Sequence, residues 1–277
     1  MFRRSTRDKG GFTQLHTGRA SVRAALLVAL TGAVAMAQPP KSLTIANAGS
    51  GAGVIAPDSV ASAFGRQIGT STPSANAQPL PTTLSGVSVQ ITDSLKAVVL
   101  APLFFVAPNQ INFVVPASVA VGTATVKILN GDITPPSTTV QVALVAPGLF
   151  TVNGAGTGTP AAIAIRRSIG TQTDTPVPVF HCDANACTSS PLDLAEDAEV
   201  FLELFGTGIR GRSSLANVKA TIGGVNAPML FAGTQGQFPG LDQVNVALPQ
   251  NLSKHGEQDL VLTVDGHEAN TVRVNVK

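Results

Sequence analysis

Few residues in this chain have the chemistry for a reactive or metal-binding site. His181, Cys182 and Cys187 come closest. An imidazole beside two thiols with four residues between them supplies three soft or borderline metal ligands, and zinc would suit them. No fourth ligand is visible nearby. The same two cysteines, the only ones in the chain, also suit a disulfide across a short loop. An even count in an exported chain favours the disulfide, and thiolate ligands suit a reducing compartment better. His255 and His267 lie in turn-like sequence near the end of the chain. No Gly-x-Ser-x-Gly elbow and no His-Glu-x-x-His helix accompanies them. Asp193, Glu196, Asp197 and Glu199 form an acidic cluster that could offer oxygens to calcium, or simply face solvent. No catalytic residue, resident metal or cofactor is expected. Gly49–Gly53 and Gly154–Gly158 lack the strand-loop-helix context of a phosphate cradle and read as turns.

Two amide pairs are the remaining polar candidates. Gln110 and Asn112 sit in Asn109-Gln110-Ile111-Asn112-Phe113-Val114-Val115-Pro116. Gln243 and Asn245 sit in Asp242-Gln243-Val244-Asn245-Val246-Ala247-Leu248-Pro249. The second octapeptide follows the first by 133 positions. Alternation puts Ile111, Phe113 and Val115 on one strand face, and Val244, Val246 and Leu248 likewise. The amides then point the other way. They could line a binding surface, or fix adjacent loop backbone. Because both octapeptides carry them, the structural role is the expected one.

These strands sit within a longer internal repeat. Val60–Gly65 matches Phe201–Gly206, each ending in Phe-Gly. Leu84–Val87 matches Leu215–Val218, and Ala101–Phe105 matches Ala227–Phe231. After each octapeptide comes a turn dipeptide, Asn130-Gly131 or Asp265-Gly266, of the kind that favours a two-residue hairpin. Thr139–Val142 and Thr271–Val274 close the copies. Each copy has the size and rhythm of an immunoglobulin-like sandwich. The expected fold is all-β: two tandem immunoglobulin-like β-sandwiches at 38–145 and 197–277. A connecting β-hairpin segment with the cysteine loop, 146–196, belongs to neither.

Composition narrows the function classes. Of 277 residues only 12% are charged, while Gly 27 and Pro 19 are plentiful. Residues 1–37 read as an export signal. Arg3, Arg4, Arg7, Lys9, Arg19 and Arg23 lead into an apolar run from Ala24, too short to span a bilayer, and Ala35-Met36-Ala37 suits cleavage. The formal +2 charge resides in that leader, and the remainder is net acidic. Nucleic acid is therefore not an expected partner, and no later segment is expected to span a membrane. With Trp 0 and Tyr 0, stacking platforms for sugars are missing.

The longer motifs resemble a known family. They are Ala-Pro-x-Ser-Val-x-Ser-x-Phe-Gly (56–65), Pro-Leu-Pro-Thr-Thr-Leu-x-Gly-Val-x-Val (79–89), Ala-Pro-Leu-Phe-Phe-Val-x-Pro-x-Gln-Ile-Asn-Phe (101–113), Ala-Pro-Gly-Leu-Phe-Thr (146–151) and Phe-Gly-Thr-Gly-Ile-Arg-Gly (205–211). Together they resemble the secreted acidobacterial C-terminal domain family of unknown function, over nearly all of the chain after residue 37. The halves are also similar to IPT/TIG immunoglobulin-like domains. The resemblance implies no activity, cofactor or catalytic residue. The expected function is a secreted or periplasmic, non-catalytic module for adhesion, scaffolding or protein–protein contact, with an unknown protein or polymer partner in the envelope. A polysaccharide-binding module and an enzyme with a loop-dispersed site are the alternatives.

Overall fold

The computed structural model describes residues 42–69, 71–75, 78–131, 137–183, 186–194 and 196–277. The export-signal reading of 1–37 lies outside the described residues.

Alternating apolar residues and frequent turn residues give a chain of short strands. In the first half these are β1 (Thr44–Asn47), β2 (Val54–Ile55), β3 (Val60–Phe64), β4 (Val87–Thr92), β5 (Val98–Ala101), β6 (Leu103–Val106), β7 (Gln110–Val114), β8 (Gly122–Asn130) and β9 (Thr138–Val142). The second half holds β10 (Gly148–Leu149), β11 (Ala162–Ser168), β12 (Asp174–Pro178), β13 (Phe180–Cys182), β14 (Cys187–Ser189), β15 (Ala198–Thr207), β16 (Val218–Ile222) and β17 (Val225–Ala227). It continues with β18 (Met229–Thr234), β19 (Asp242–Ala247), β20 (Gly256–Val264), β21 (His267–Glu268) and β22 (Val272–Val276). The described helices are single 3₁₀ turns at Leu215–Asn217 and Gln250–Leu252. The protein is all-β. No described helix is long and apolar enough to cross a membrane.

Two pairs of sheets enclose two cores. In the first lobe, sheet β1-β3-β7-β6 packs on β2-β9-β8-β4-β5. Ile45, Ile111, Phe113 and Leu103 from one sheet meet Val89, Ile91, Val126 and Ile128 from the other. In the second lobe, β12-β11-β15-β19-β18 packs on β17-β16-β20-β21, with β10 alongside β15 and β22 alongside β20. Leu202, Leu204, Val244 and Val246 there meet Ile222, Leu260, Leu262 and Val274. Each fully buried aliphatic or Phe side chain contributes roughly 1.5–3 kcal/mol. The octapeptide strands β7 and β19 are interior strands of their sheets, and Ile111, Phe113, Val115, Val244 and Val246 are completely buried.

The lobes share one strand order. β1-β3-β7-β6 corresponds to β11-β15-β19-β18. Even the irregularities coincide. A β-bulge leaves Phe104 unpaired between Leu103 and Phe105, and another leaves Leu230 unpaired between Met229 and Phe231.

The strands of the 146–196 segment join the second lobe as an added hairpin. β11 pairs over seven positions with β15, and β12 pairs with β11, so both belong to the second lobe's sheet. Without β11 the outer edge of β15 would be bare. Leu192 also bridges to Val276 in parallel, where β2 pairs in parallel with β9 in the first lobe. Asp265-Gly266, with φ of 48° and 82°, closes a two-residue hairpin between Val264 and His267. Among the described residues β8 pairs with β9 from Gly122↔Val142 to Val126↔Thr138, and Lys127–Asn130 pair with β4.

Candidate functional site

The polar and glycine-rich machinery of this chain gathers at the seam between the lobes. A third apolar cluster lies there. Val60, Ala48 and Phe104 of the first lobe pack with Phe150, Ile163, Ile165, Phe201, Phe205, Leu230, Phe238 and Leu241 of the second. The two bulged residues, Phe104 and Leu230, both belong to it.

Beside that cluster the backbones approach closely. Asn47, almost fully buried, donates from Nδ2 to Ala146 O at 2.7 Å and accepts from the N–H groups of Gly49 and Ser50. The Gly49–Gly53 stretch is thus partly an Asn47-capped turn against the joint. Ala146 N donates to Gly208 O at 2.9 Å. Thr207 is fully buried; its Oγ1 accepts from Val60 N at 2.7 Å and donates to Gly240 O at 2.8 Å. A methyl group on Gly208 would stand 2.1 Å from Ala146 O, and one on Gly206 would stand 2.6 Å from Gly148 O. The motifs 146–151 and 205–211 therefore meet each other at this joint. No periodicity analysis reveals that, because it depends on contacts across some 60 residues of sequence.

Asp242, the first residue of the second octapeptide, is completely buried at the same end. It accepts from Ile209 N at 2.7 Å, Arg210 N at 3.2 Å and Arg210 Nε at 2.7 Å. Burial raises its pKa, opposed by the Arg210 charge and these bonds. Its first-lobe counterpart, Asn109, is exposed.

The amide pairs bond within themselves. Gln110 Nε2 donates to Asn112 Oδ1 at 3.0 Å, and Gln243 Nε2 to Asn245 Oδ1 at 2.8 Å. Ser62 Oγ also donates to Asn112 Oδ1, at 2.9 Å. These amides face away from the cores. Across from Asn245 on β15 lies Glu203. It is 8% exposed, flanked on its face by Phe201 and Phe205, and opposite Ile163 on β11. Burial alone pushes its carboxyl up to about 7. The sequence reading passed over Glu203, yet the signal was available: an acidic residue inside Val200-Phe201-Leu202-Glu203-Leu204-Phe205.

The other candidates lie apart. Cys182 and Cys187 are disulfide-bonded across the β13–β14 pair, so their thiols are not metal ligands. Losing this bond in a Cys182→Ser/Cys187→Ser chain is expected to cost about 2 kcal/mol at most, because the loop it closes is short. Urea denaturation of oxidised wild type against the double variant measures it. His255 and His267 lie just beyond opposite ends of β20, about 30 Å apart by strand rise, and His181 is exposed on β13. Asp193, Glu196, Asp197 and Glu199 are all exposed, and Asp197 pairs with Arg166 at 2.6 Å. Among the described residues no three His, Cys, Asp or Glu side chains form a metal-holding group.

An open depression of about 480 Å³ is lined by Ser213, Asn217, Lys219, Thr263, Asp265 and Gly266. Ser213 donates to Asp265 through both its hydroxyl and its N–H. The Ser213 hydroxyl, first among several contacts, holds Asp265 below the ordinary carboxylate range. A carboxylate so held is a weak base, and no imidazole stands between it and the hydroxyl.

Asp93 is a further residue the sequence reading missed. It accepts from the N–H groups of Leu95, Ala97 and Ala120, shaping the β4–β5 turn. The Ala120 N–H is the largest of the effects holding its pKa low. Comparison with protein-family models and with curated proteins gives no match to this chain.

Proposed function

We propose that this chain is an exported, non-catalytic double β-sandwich that serves in protein–protein contact at the cell envelope. The corresponding strand orders and coincident bulges support a duplicated module. The resemblance to the secreted acidobacterial family belongs to this reading, and the disulfide fits an oxidising compartment.

The observation that carries it is the edge strand β5, which pairs only with β4 among the described residues. Asp93 N donates to Ala97 O, so the 93/97 positions are a hydrogen-bonded pair. Alternation then makes Thr92↔Val98 and Gln90↔Leu100 non-hydrogen-bonded pairs, and the N–H and C=O groups of Val98 and Leu100 point outward. Their side chains are also exposed, at 58% and 41%, near the still more exposed Leu95. Two other edges are blunted. β12 carries Pro176 and Pro178, and the 73–75 segment bonds to β6 through Val106 N and Ala75 N. An unguarded apolar edge is a template for an added strand.

A photo-crosslinking side chain at Val98 should give a discrete protein adduct in the producing cell, and one at Thr139, on β9, should not. Leu100→Lys should abolish the adduct while changing stability by only about 0.5 kcal/mol. Equal adducts from both sites, or none, would count against the proposal. So would turnover of a hydrolase substrate that is lost on changing His255 or His267.

A further inference from the structure

We propose that Glu203 makes the seam between the lobes a pH-dependent joint, closed while its carboxyl is neutral and loosened when it ionises. The geometry is specific. Glu203 occupies the seam-facing side of β15, between Phe201 and Phe205 in the seam cluster. It is more than nine-tenths buried. It makes no ion pair or hydrogen bond with the described residues, and desolvation is the sole influence on its ionisation. An ionised carboxylate in such a setting is poorly hydrated and has no counter-charge.

The surrounding elements supply no such charge. From β11 it faces Ile163; Arg167, two pairs further along, is engaged bidentately by Asp174 of β12 at 2.7 and 2.8 Å. From β19 it faces Asn245; Asp242, at that strand's start, is held by Arg210. β18 contributes no charged residue. On β15 itself the nearest acid on this face is Glu199, whose charge acts on Arg167. The first lobe brings Ala48, Val60 and Phe104 to the cluster, none of them charged.

The sign follows. The carboxyl's pKa rises from its ordinary 4.5 to about 7 in the folded protein. The folded state therefore holds this proton more tightly than the unfolded chain does. Its contribution to stability is greatest below about pH 4.5, declines as pH rises to about 7, and levels off above it. The strain falls on the seam, because the lobe cores lie on the opposite face of β15, among Leu202 and Leu204. Parting the seam hydrates the carboxylate without unfolding either sandwich.

Hydrogen exchange of the full chain at pH 6 and pH 8.5, corrected for intrinsic rates, tests this. The reporter is Val60 N–H of the first lobe, bonded to Thr207 Oγ1 of the second. In the wild type its protection should fall about tenfold or more at the higher pH. Amides of β4 and β20, inside the lobes, should keep theirs. Glu203→Gln, close in shape and always neutral, should keep the seam amide protected at both values. Undiminished wild-type protection at pH 8.5 would overturn the proposal. So would an equal fall in Glu203→Gln, or a uniform loss across seam and lobes together.

Discussion

Gly208→Ala should destabilise the protein by about 3 kcal/mol, far more than an ordinary glycine substitution. Gly208 has φ of 72°, a left-handed conformation that costs an L side chain roughly 1–2 kcal/mol. The added carbon would also stand 2.1 Å from Ala146 O and 2.8 Å from Ala146 C. Both are backbone atoms, with no rotamer to turn aside. Backbone shifts of this kind typically add about 1–3 kcal/mol. Moving the 146 strand away breaks the Ala146–Gly208 bond and pulls Ala146 O from Asn47 Nδ2, which is buried and then loses its acceptor. Gly266→Ala is the control. Its φ is 82°, but nothing lies within 4 Å of the added carbon, so only the conformational term of about 1 kcal/mol applies. Urea denaturation of both variants separates the terms. Equal losses would show that the close crossing contributes nothing.

The crossing at Gly208 also shows where sequence reasoning stops. Strand periodicity in Ile111-Asn112-Phe113 and Val244-Asn245-Val246 is local, so the interior strands and their buried faces were legible from side-chain alternation. Both sandwiches follow from those faces. The strand β11 was harder. Ala162–Ser168 has no first-lobe counterpart of similar sequence; β1, Thr44–Asn47, fills the matching slot with different residues. Pairing with β15 depends on backbone groups that every sequence has, so resemblance between halves could not reveal it.

Site legibility follows the same division. Cys182 and Cys187 are close in sequence, and their pairing across adjacent strands was readable. Asn47 and Ala146 lie 99 residues apart, and Thr207 and Val60 147 apart. Single side chains binding distant backbone leave no pattern along the chain. The amide pairs were correctly placed away from the core faces by alternation, but their mutual bonds depend on rotamers. Glu203 was written plainly in an apolar strand, and its meaning depended on knowing that both faces of β15 are covered.

Asp242→Ala is expected to be the most damaging single change at the seam, at about 3–5 kcal/mol. Asp242 is fully buried and the Arg210 side chain is 18% exposed, so the pair has limited access to water. Removing the carboxylate strands the Arg210 guanidinium and the N–H of Ile209 together. Arg210 Nη2 retains its bond to Leu241 O, which satisfies one donor but does not neutralise the charge. Asp242→Asn keeps an oxygen for Ile209 N and should cost less, about 1–2 kcal/mol. The informative measurement is the double-mutant cycle with Arg210→Met. If the loss in Asp242→Ala comes mainly from an abandoned guanidinium, adding Arg210→Met should recover a substantial part of it, giving a coupling of about 1–3 kcal/mol in urea denaturation. Simple additivity would instead place the loss in the Ile209 turn, where the carboxylate acts as a backbone acceptor. The recovery expected from the double variant follows from burial: a lone cation at this depth is worse than an apolar pair, since the carboxylate's pKa is already raised by the same desolvation despite its partner.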